Sequence, residues 1–181
     1  TTNCTSINPK WINRVKQFGD MHINLSLDAA YSAYEYIRTG ASWNEVEKNI
    51  PTIIDLTDDY TIQMVVQATS FVCIENWLEY FYDYPVENIN LNPLYGTSGN
   101  LDCIPDSIKN KKIEWLKKQN QPLANKVLKV FERYEFNQDN LYKYLKKSLY
   151  YDKIRNTSIL DLHNDFQEMY QIAKKQYVDK I

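Results

Sequence analysis

The chain has 181 residues, 44% hydrophobic and 14% aromatic, with only 4 glycines and 6 prolines, a size that suits one core and a composition that excludes a disordered chain or a loop-rich sandwich. A formal net charge of −2 excludes an overall electrostatic pull toward nucleic acid. Residues 1–90 nevertheless hold 12 acids and 5 bases while residues 91–181 hold 11 acids and 16 bases, so either the halves neutralise each other or an acidic face serves a basic partner.

Pro9 opens a short helical pattern with Trp11, Val15 and Phe18 on one face, ended by Gly19 and Asp20. Leu27, Ala30, Tyr31, Tyr34 and Ile37 recur at helical spacing after a Ser26 cap and stop at Gly40. Ser42 with Glu45 forms a capping box for a helix expected to end before Pro51. Thr57, Asp58 and Asp59 cap the longest apolar-rich stretch, Tyr60 to Tyr84, expected as one central helix. Gln63, Gln67, Glu75, Asn76 and Glu79 interrupt that stretch and argue against a membrane span.

From residue 85 to 105 the composition turns to Asn, Pro, Gly and Ser, which predicts one long irregular loop between an acidic subdomain (1–84) and a basic one (106–181). Ile108, Lys112, Trp115 and Leu116 predict a further helix, and Leu123, Val127, Val130, Phe131 and Tyr134 another after Pro122. Leu141, Tyr144, Leu145 and Leu149 suit a helix or, by their aromatics, a strand. Ser158 with Asp161 makes a second capping box before the stripe Leu162, Phe166, Met169, Tyr170, Ala173 and Tyr177. The elements add up to an all-α bundle of about six to eight helices in a single domain spanning the chain.

No GxGxxG, P-loop, HExxH or GxSxG pattern occurs. His22 and His163 stand apart, and Asp161, His163 and Asp165 alternate along an expected helix, which reads as a solvent-facing turn and not a metal site. Cys4, Cys73 and Cys103 form no CxxC pair, so a reducing, cytoplasmic setting is expected, with a Cys4–Cys103 bridge left open and Cys73 read as an inert core thiol. The polar start shows no signal peptide, with earlier removal of one left open. No cofactor or metal is expected, and a binding protein is favoured over an enzyme.

Glu75, Glu79 and Asp83, spaced by four, form an acidic stripe on the expected central helix. Like charges at that spacing cost about 0.2–0.5 kcal/mol per pair, so an internal Lys or Arg, an external basic partner, or catalytic or metal-binding use of the carboxylates must offset them. Tyr80, Phe81, Tyr82 and Tyr84 interleave with the stripe, and rings in an acidic field suit protein recognition. Lys109, Lys111, Lys112, Lys117, Lys118, Lys143, Lys146 and Lys147 alternate with apolar positions as a solvated face does, so nucleic acid is not the expected partner.

The segment Leu78 to Pro93, LEYFYDYPVENINLNP, resembles the Tyr-Tyr-Pro and acidic recognition stretch of small helical bacterial immunity proteins that neutralise nuclease toxins. More broadly the chain resembles helical immunity proteins of contact-dependent and polymorphic toxin systems. The resemblance implies an inhibitor that occludes a basic cognate toxin. Glu75, Glu79, Tyr80, Tyr82, Asp83 and Tyr84 are the expected contact residues, with Asp55, Asp58 and Asp59 adding long-range attraction. The alternatives are a carboxylate- or metal-dependent enzyme and a nucleic-acid-binding regulator working through the lysine-rich half.

Overall fold

Ile23-Asn24-Leu25-Ser26 and Tyr60-Thr61-Ile62-Gln63-Met64-Val65-Val66 alternate buried and more exposed side chains, the period of two that a half-buried strand requires. In the computed structural model, which describes residues 1–96, 99–131 and 133–176, they form β1 (Ile23–Ser26) and β2 (Tyr60–Val66), and Ile89–Pro93 forms β3. The strands pair in parallel in the order β1-β2-β3, with Leu25 opposite Ile62 and Met64 opposite Leu91. Thr2 bridges to Leu25 and lengthens the sheet beyond β1. The architecture is therefore mixed α/β, not the all-α bundle expected.

Among the described residues, α1 (Pro9–Val15) precedes the sheet, α2 (Tyr31–Ile37) and α3 (Trp43–Ile54) connect β1 to β2, and α4 (Ala68–Val72) and α5 (Ile74–Tyr80) connect β2 to β3. The helices α6 (Asp106–Lys118), α7 (Pro122–Phe131), α8 (Gln138–Arg155) and α9 (Asn164–Gln176) follow. The expected central helix over 60–84 is thus three elements. Thr61, Ile62, Val65 and Val66 are β-branched and favour the pleated surface, and at Gln67 the chain turns, its N–H donating to Ser70 Oγ at 2.9 Å.

The expected loop over 85–105 contains β3 between short 3-10 turns at Val86–Asn88 and Leu101–Cys103. The second helix begins at Tyr31, because Ser26 is spent in β1. Pro51 lies inside α3, which runs on to Ile54 and closes with the Asp55 N–H on the Pro51 carbonyl. That helix starts where expected, but Glu35 Oε1 accepts from the Trp43 N–H at 2.7 Å in place of a Ser42 side-chain cap. The end of the last predicted stripe, Tyr177, lies outside the described residues.

A continuous apolar core joins both halves of the chain. It runs from Leu25, Ile62 and Met64 of the sheet to Leu116, Leu145 and Phe166, with Phe71 of α4 stacked on Phe131 of α7 at 3.8 Å. Each such side chain contributes about 1.5–3 kcal/mol on burial. The acidic and basic stretches are therefore parts of one packed body and share its interior.

The opposite side of the sheet carries a polar ladder. Asn92 Nδ2 donates to Gln63 Oε1 at 2.6 Å, and Gln63 Nε2 to Asn24 Oδ1 at 3.2 Å. Arg38 donates to Ser26 Oγ and to the buried Asp28 carboxylate, both at 2.7 Å.

Candidate functional site

Rings from three separate segments meet beside the C-terminal end of α5. Tyr80 lies edge-on to Trp43 at 4.9 Å and to Tyr31 at 6.2 Å, and Tyr84 stacks beyond it at 6.2 Å. Trp43, only 3% exposed, is the base of the patch, and its indole N–H has no hydrogen-bond partner. Glu79 and Glu47 border the rings: burial raises the Tyr31 hydroxyl pKa first, and the charges of Glu79 and then Glu47 raise it further. Burial likewise raises Tyr80 and Tyr84, whose hydroxyls are hydrogen-bonded to each other. The phenols thus stay protonated at neutral pH, and apart from the O–H used between Tyr80 and Tyr84 they present donors beside Glu79 and Glu47.

Tyr31 sits in left-handed backbone, φ 53°. For a residue with a Cβ that conformation costs about 1–2 kcal/mol, and strain of this kind gathers at binding sites. Here it turns the chain from the sheet edge into α2 and sets the Tyr31 ring against Trp43 at 5.7 Å.

The residues expected to form the surface divide. Glu79, Tyr82 and Asp83 are exposed, Tyr82 by 63%, and Tyr80 and Tyr84 are half-buried in the ring patch. Among the described residues Glu47, Glu79 and Asp83 form no ion pair. Asp83 lies past the end of α5, so the stripe is not continuous on one helix. Glu75 turns inward: its Oε1 accepts from Lys112 Nζ at 2.6 Å, and Lys112, 3% exposed, also lies 3.2 Å from Asp165. Asp55 and Asp58 are exposed in the connection from α3 to β2, and Asp59 holds His22. Tyr31, Trp43 and Glu47 were not among the expected site residues, since they enter from distant segments and carry no local signal of their own.

His22 Nδ1 lies 2.7 Å from Asp59 Oδ1, and its Nε2 lies 3.1 Å from Thr61 Oγ1 and 3.3 Å from Asn24 Oδ1. An Asp-His-Thr row has the composition of a nucleophile, base and orienting acid. The surroundings oppose that role. Gln63 fixes Asn24 Oδ1 as an acceptor, Asp59 is an acceptor on the other side, and hydrogen bonds to both raise the His22 pKa. Both ring nitrogens thus face oxygen acceptors, an arrangement that favours donation from the ring over removal of the Thr61 proton.

Asp165 is buried against Lys112 and is not the solvent-facing residue expected, and its N–H donates to His163 Nδ1 at 3.1 Å. Burial, then the Lys112 charge, lowers the His163 pKa. All three cysteines are free and buried, so the Cys4–Cys103 pairing left open does not occur. Burial pushes the Cys4 and Cys73 thiols up to about 12, which leaves little nucleophilic thiolate. Among the described residues no three metal-ligating side chains are grouped to hold an ion, and no helix is long and apolar enough to cross a membrane.

Compared with family models, curated proteins and solved structures, the chain matches none.

Proposed function

We propose that this protein binds a basic protein partner through the Tyr31, Tyr80 and Tyr84 patch and the acids around it, and that it acts in the cytoplasm as an immunity-type inhibitor that occludes a basic toxin. The observation that carries this reading is the juxtaposition of half-buried rings with Glu47, Glu79 and Asp83, none of which has an ion-pair partner among the described residues. Rings supply desolvated contact area at small entropic cost, and unpaired acids raise the rate at which a basic surface arrives. Glu75 drops out of the contact set, because Lys112 already holds it, and Tyr31 and Glu47 enter. The mode implied by the immunity-protein resemblance is kept, and its helical fold is not. A carboxylate-based enzyme is the weaker reading, since Glu75 is engaged with Lys112 and Asp59 with His22.

The test is capture from native lysate by the parent protein, by a Glu47→Lys, Glu79→Lys, Asp83→Lys variant, and by a charge-matched Asp20→Lys, Glu114→Lys, Glu135→Lys control, each shown to be folded by circular dichroism. A basic protein held by parent and control, lost by the variant and released as salt rises is the expected result. Equal retention by the variant, or no partner at all, overturns the proposal.

A further inference from the structure

A cavity of about 440 Å³ opens outside the carboxyl ends of β2 and β3, where Gln67 and Leu94 leave the sheet. That volume lies in the range of small-molecule sites, and the carboxyl end of parallel strands is where open α/β sheets place ligands. This sheet has no reversal of strand order to create a crevice; α8 creates it. Tyr144, Ser148, Tyr151 and Arg155, spaced by three and four residues, make one wall together with Lys147, and Tyr36 at the end of α2 faces them. At the buried end the Thr69 and Tyr144 hydroxyls share a hydrogen bond of 2.7 Å.

The charge around this cavity is one-sided. From residue 142 to 155 every exposed charged side chain is a base, and the one acid, Asp152, is buried. Asp152 lies behind the wall: it accepts from Thr157 Oγ1 at 2.9 Å and the Ile159 N–H at 2.8 Å, and on the cavity side it contacts the hydroxyl of the wall residue Tyr36. Among the described residues Lys147 and Arg155 therefore have no ion-pair partner. The Arg155 guanidinium lies over the Tyr151 ring at 4.7 Å, which fixes its plane at the rim. A planar fork suits bidentate binding of a phosphate, and Lys147, two turns earlier on α8 and lining the same cavity, adds a point charge. Tyr36, Ile37, Leu94 and Tyr151 offer flat and apolar walls to a ring.

We infer that the cavity between α8 and the carboxyl ends of β2 and β3 binds a ring-bearing phosphate monoester the size of a nucleoside monophosphate, its phosphate on Lys147 and Arg155 and its ring toward Tyr36 and Leu94. The site is separate from the acidic ring patch and does not depend on the partner proposed above.

The experiment is isothermal titration of the full chain with AMP, UMP, adenosine, inorganic phosphate and a short single-stranded oligonucleotide. It is run on the parent, a Lys147→Glu, Arg155→Glu variant and a Lys117→Glu, Lys129→Glu control of equal charge. Saturable binding of AMP or UMP is expected, weakened about tenfold or more in the variant, as loss of one charge-assisted hydrogen bond predicts, and unchanged in the control. Adenosine should bind about tenfold or more weakly than AMP, since it lacks the charge-assisted contacts. Amide shifts induced by AMP in the parent should centre on Gln67, Thr69 and Leu94, a readout that needs no variant. The inference is overturned if neither mononucleotide binds saturably, if adenosine equals AMP, if the shifts lie elsewhere, or if variant and control lose binding equally. Binding confined to the oligonucleotide assigns the charge of α8 to a diffuse surface and also overturns it.

Discussion

Glu75 and Glu79 stand one turn apart on α5, yet they belong to different regions of the molecule. Glu75 faces α6 and α9, where Lys112 is buried between it and Asp165. Glu79 faces water beside Tyr31, near Glu47, with no base to meet it among the described residues. The first region uses its charges to tie the acidic half of the chain to the basic half. The second leaves them unspent. An acidic stripe at helical spacing therefore has no single meaning: what lies opposite each position decides whether a carboxylate holds the fold together or is available to a partner.

The largest break in this comparison comes from Lys112. Lys112→Met leaves Glu75 without its cation and Asp165 with Lys111 alone at 4.0 Å, and urea denaturation should show a loss of about 3 kcal/mol, the scale for removing the buried member of an ion pair. Replacing Glu75 and Asp165 by apolar residues in the same chain should recover part of that loss. Tyr80→Ala removes the ring that joins Trp43, Tyr31 and Tyr84 and should cost about 2 kcal/mol, less than a fully buried aromatic because Tyr80 is half-exposed. Tyr31→Asn keeps a residue that tolerates the left-handed backbone, so its unfolding free energy should rise by up to about 1 kcal/mol or stay level while partner binding falls. That opposition between stability and binding is the mark of a strained contact residue. Glu79→Gln should move stability by less than about 0.5 kcal/mol, against a clear loss for Glu75→Gln.

The smallest effect separates the two histidines. The His22 pKa is raised by Asp59 and Asn24 and that of His163 is lowered by burial and Lys112, so NMR titration should place them on opposite sides of the ordinary histidine value. For His22 the folded pKa exceeds the unfolded one, so its contribution to stability is full below the ordinary value and is lost as pH rises through the raised one. For His163 the sign reverses, and stability falls as pH drops below the ordinary value. Asp59→Asn should bring His22 down and leave His163 in place.

Much of the helical part of this fold was legible locally. Pro122 marks α7 as a proline start, the Phe166, Met169 and Ala173 stripe marks α9 by a period near 3.6, and α3 starts at Trp43 as expected. Neither expected capping box forms, however: Ser42 and Ser158 make no side-chain cap, and Ser158 heads a 3-10 turn ahead of α9. The sheet was not. β1 has four residues, β3 reads Ile-Asn-Leu-Asn-Pro, and a parallel strand finds its partner far along the chain, Ile23 against Tyr60 and Ile62 against Ile89. An apolar run such as 60–84 satisfies helix and strand templates until that partner is known. The site divides in the same way. Glu79, Tyr80, Tyr82, Asp83 and Tyr84 are contiguous and could be picked out together, whereas the burial of Glu75 depends on Lys112, and Tyr31, Trp43 and Glu47 reach the patch only through the packing of α2 and α3 against α5.

The most direct measurement is the equilibrium affinity of the captured basic protein for the parent, for Glu79→Lys with Asp83→Lys, and for Tyr31→Asn, each at low and at physiological salt. The expected result is a loss of about tenfold or more for each substituted form, with salt weakening the parent far more than the Lys variant. Affinities unchanged by these substitutions, or a salt dependence identical in parent and Lys variant, would show that the unpaired acids and the Tyr31 ring take no part in recognition.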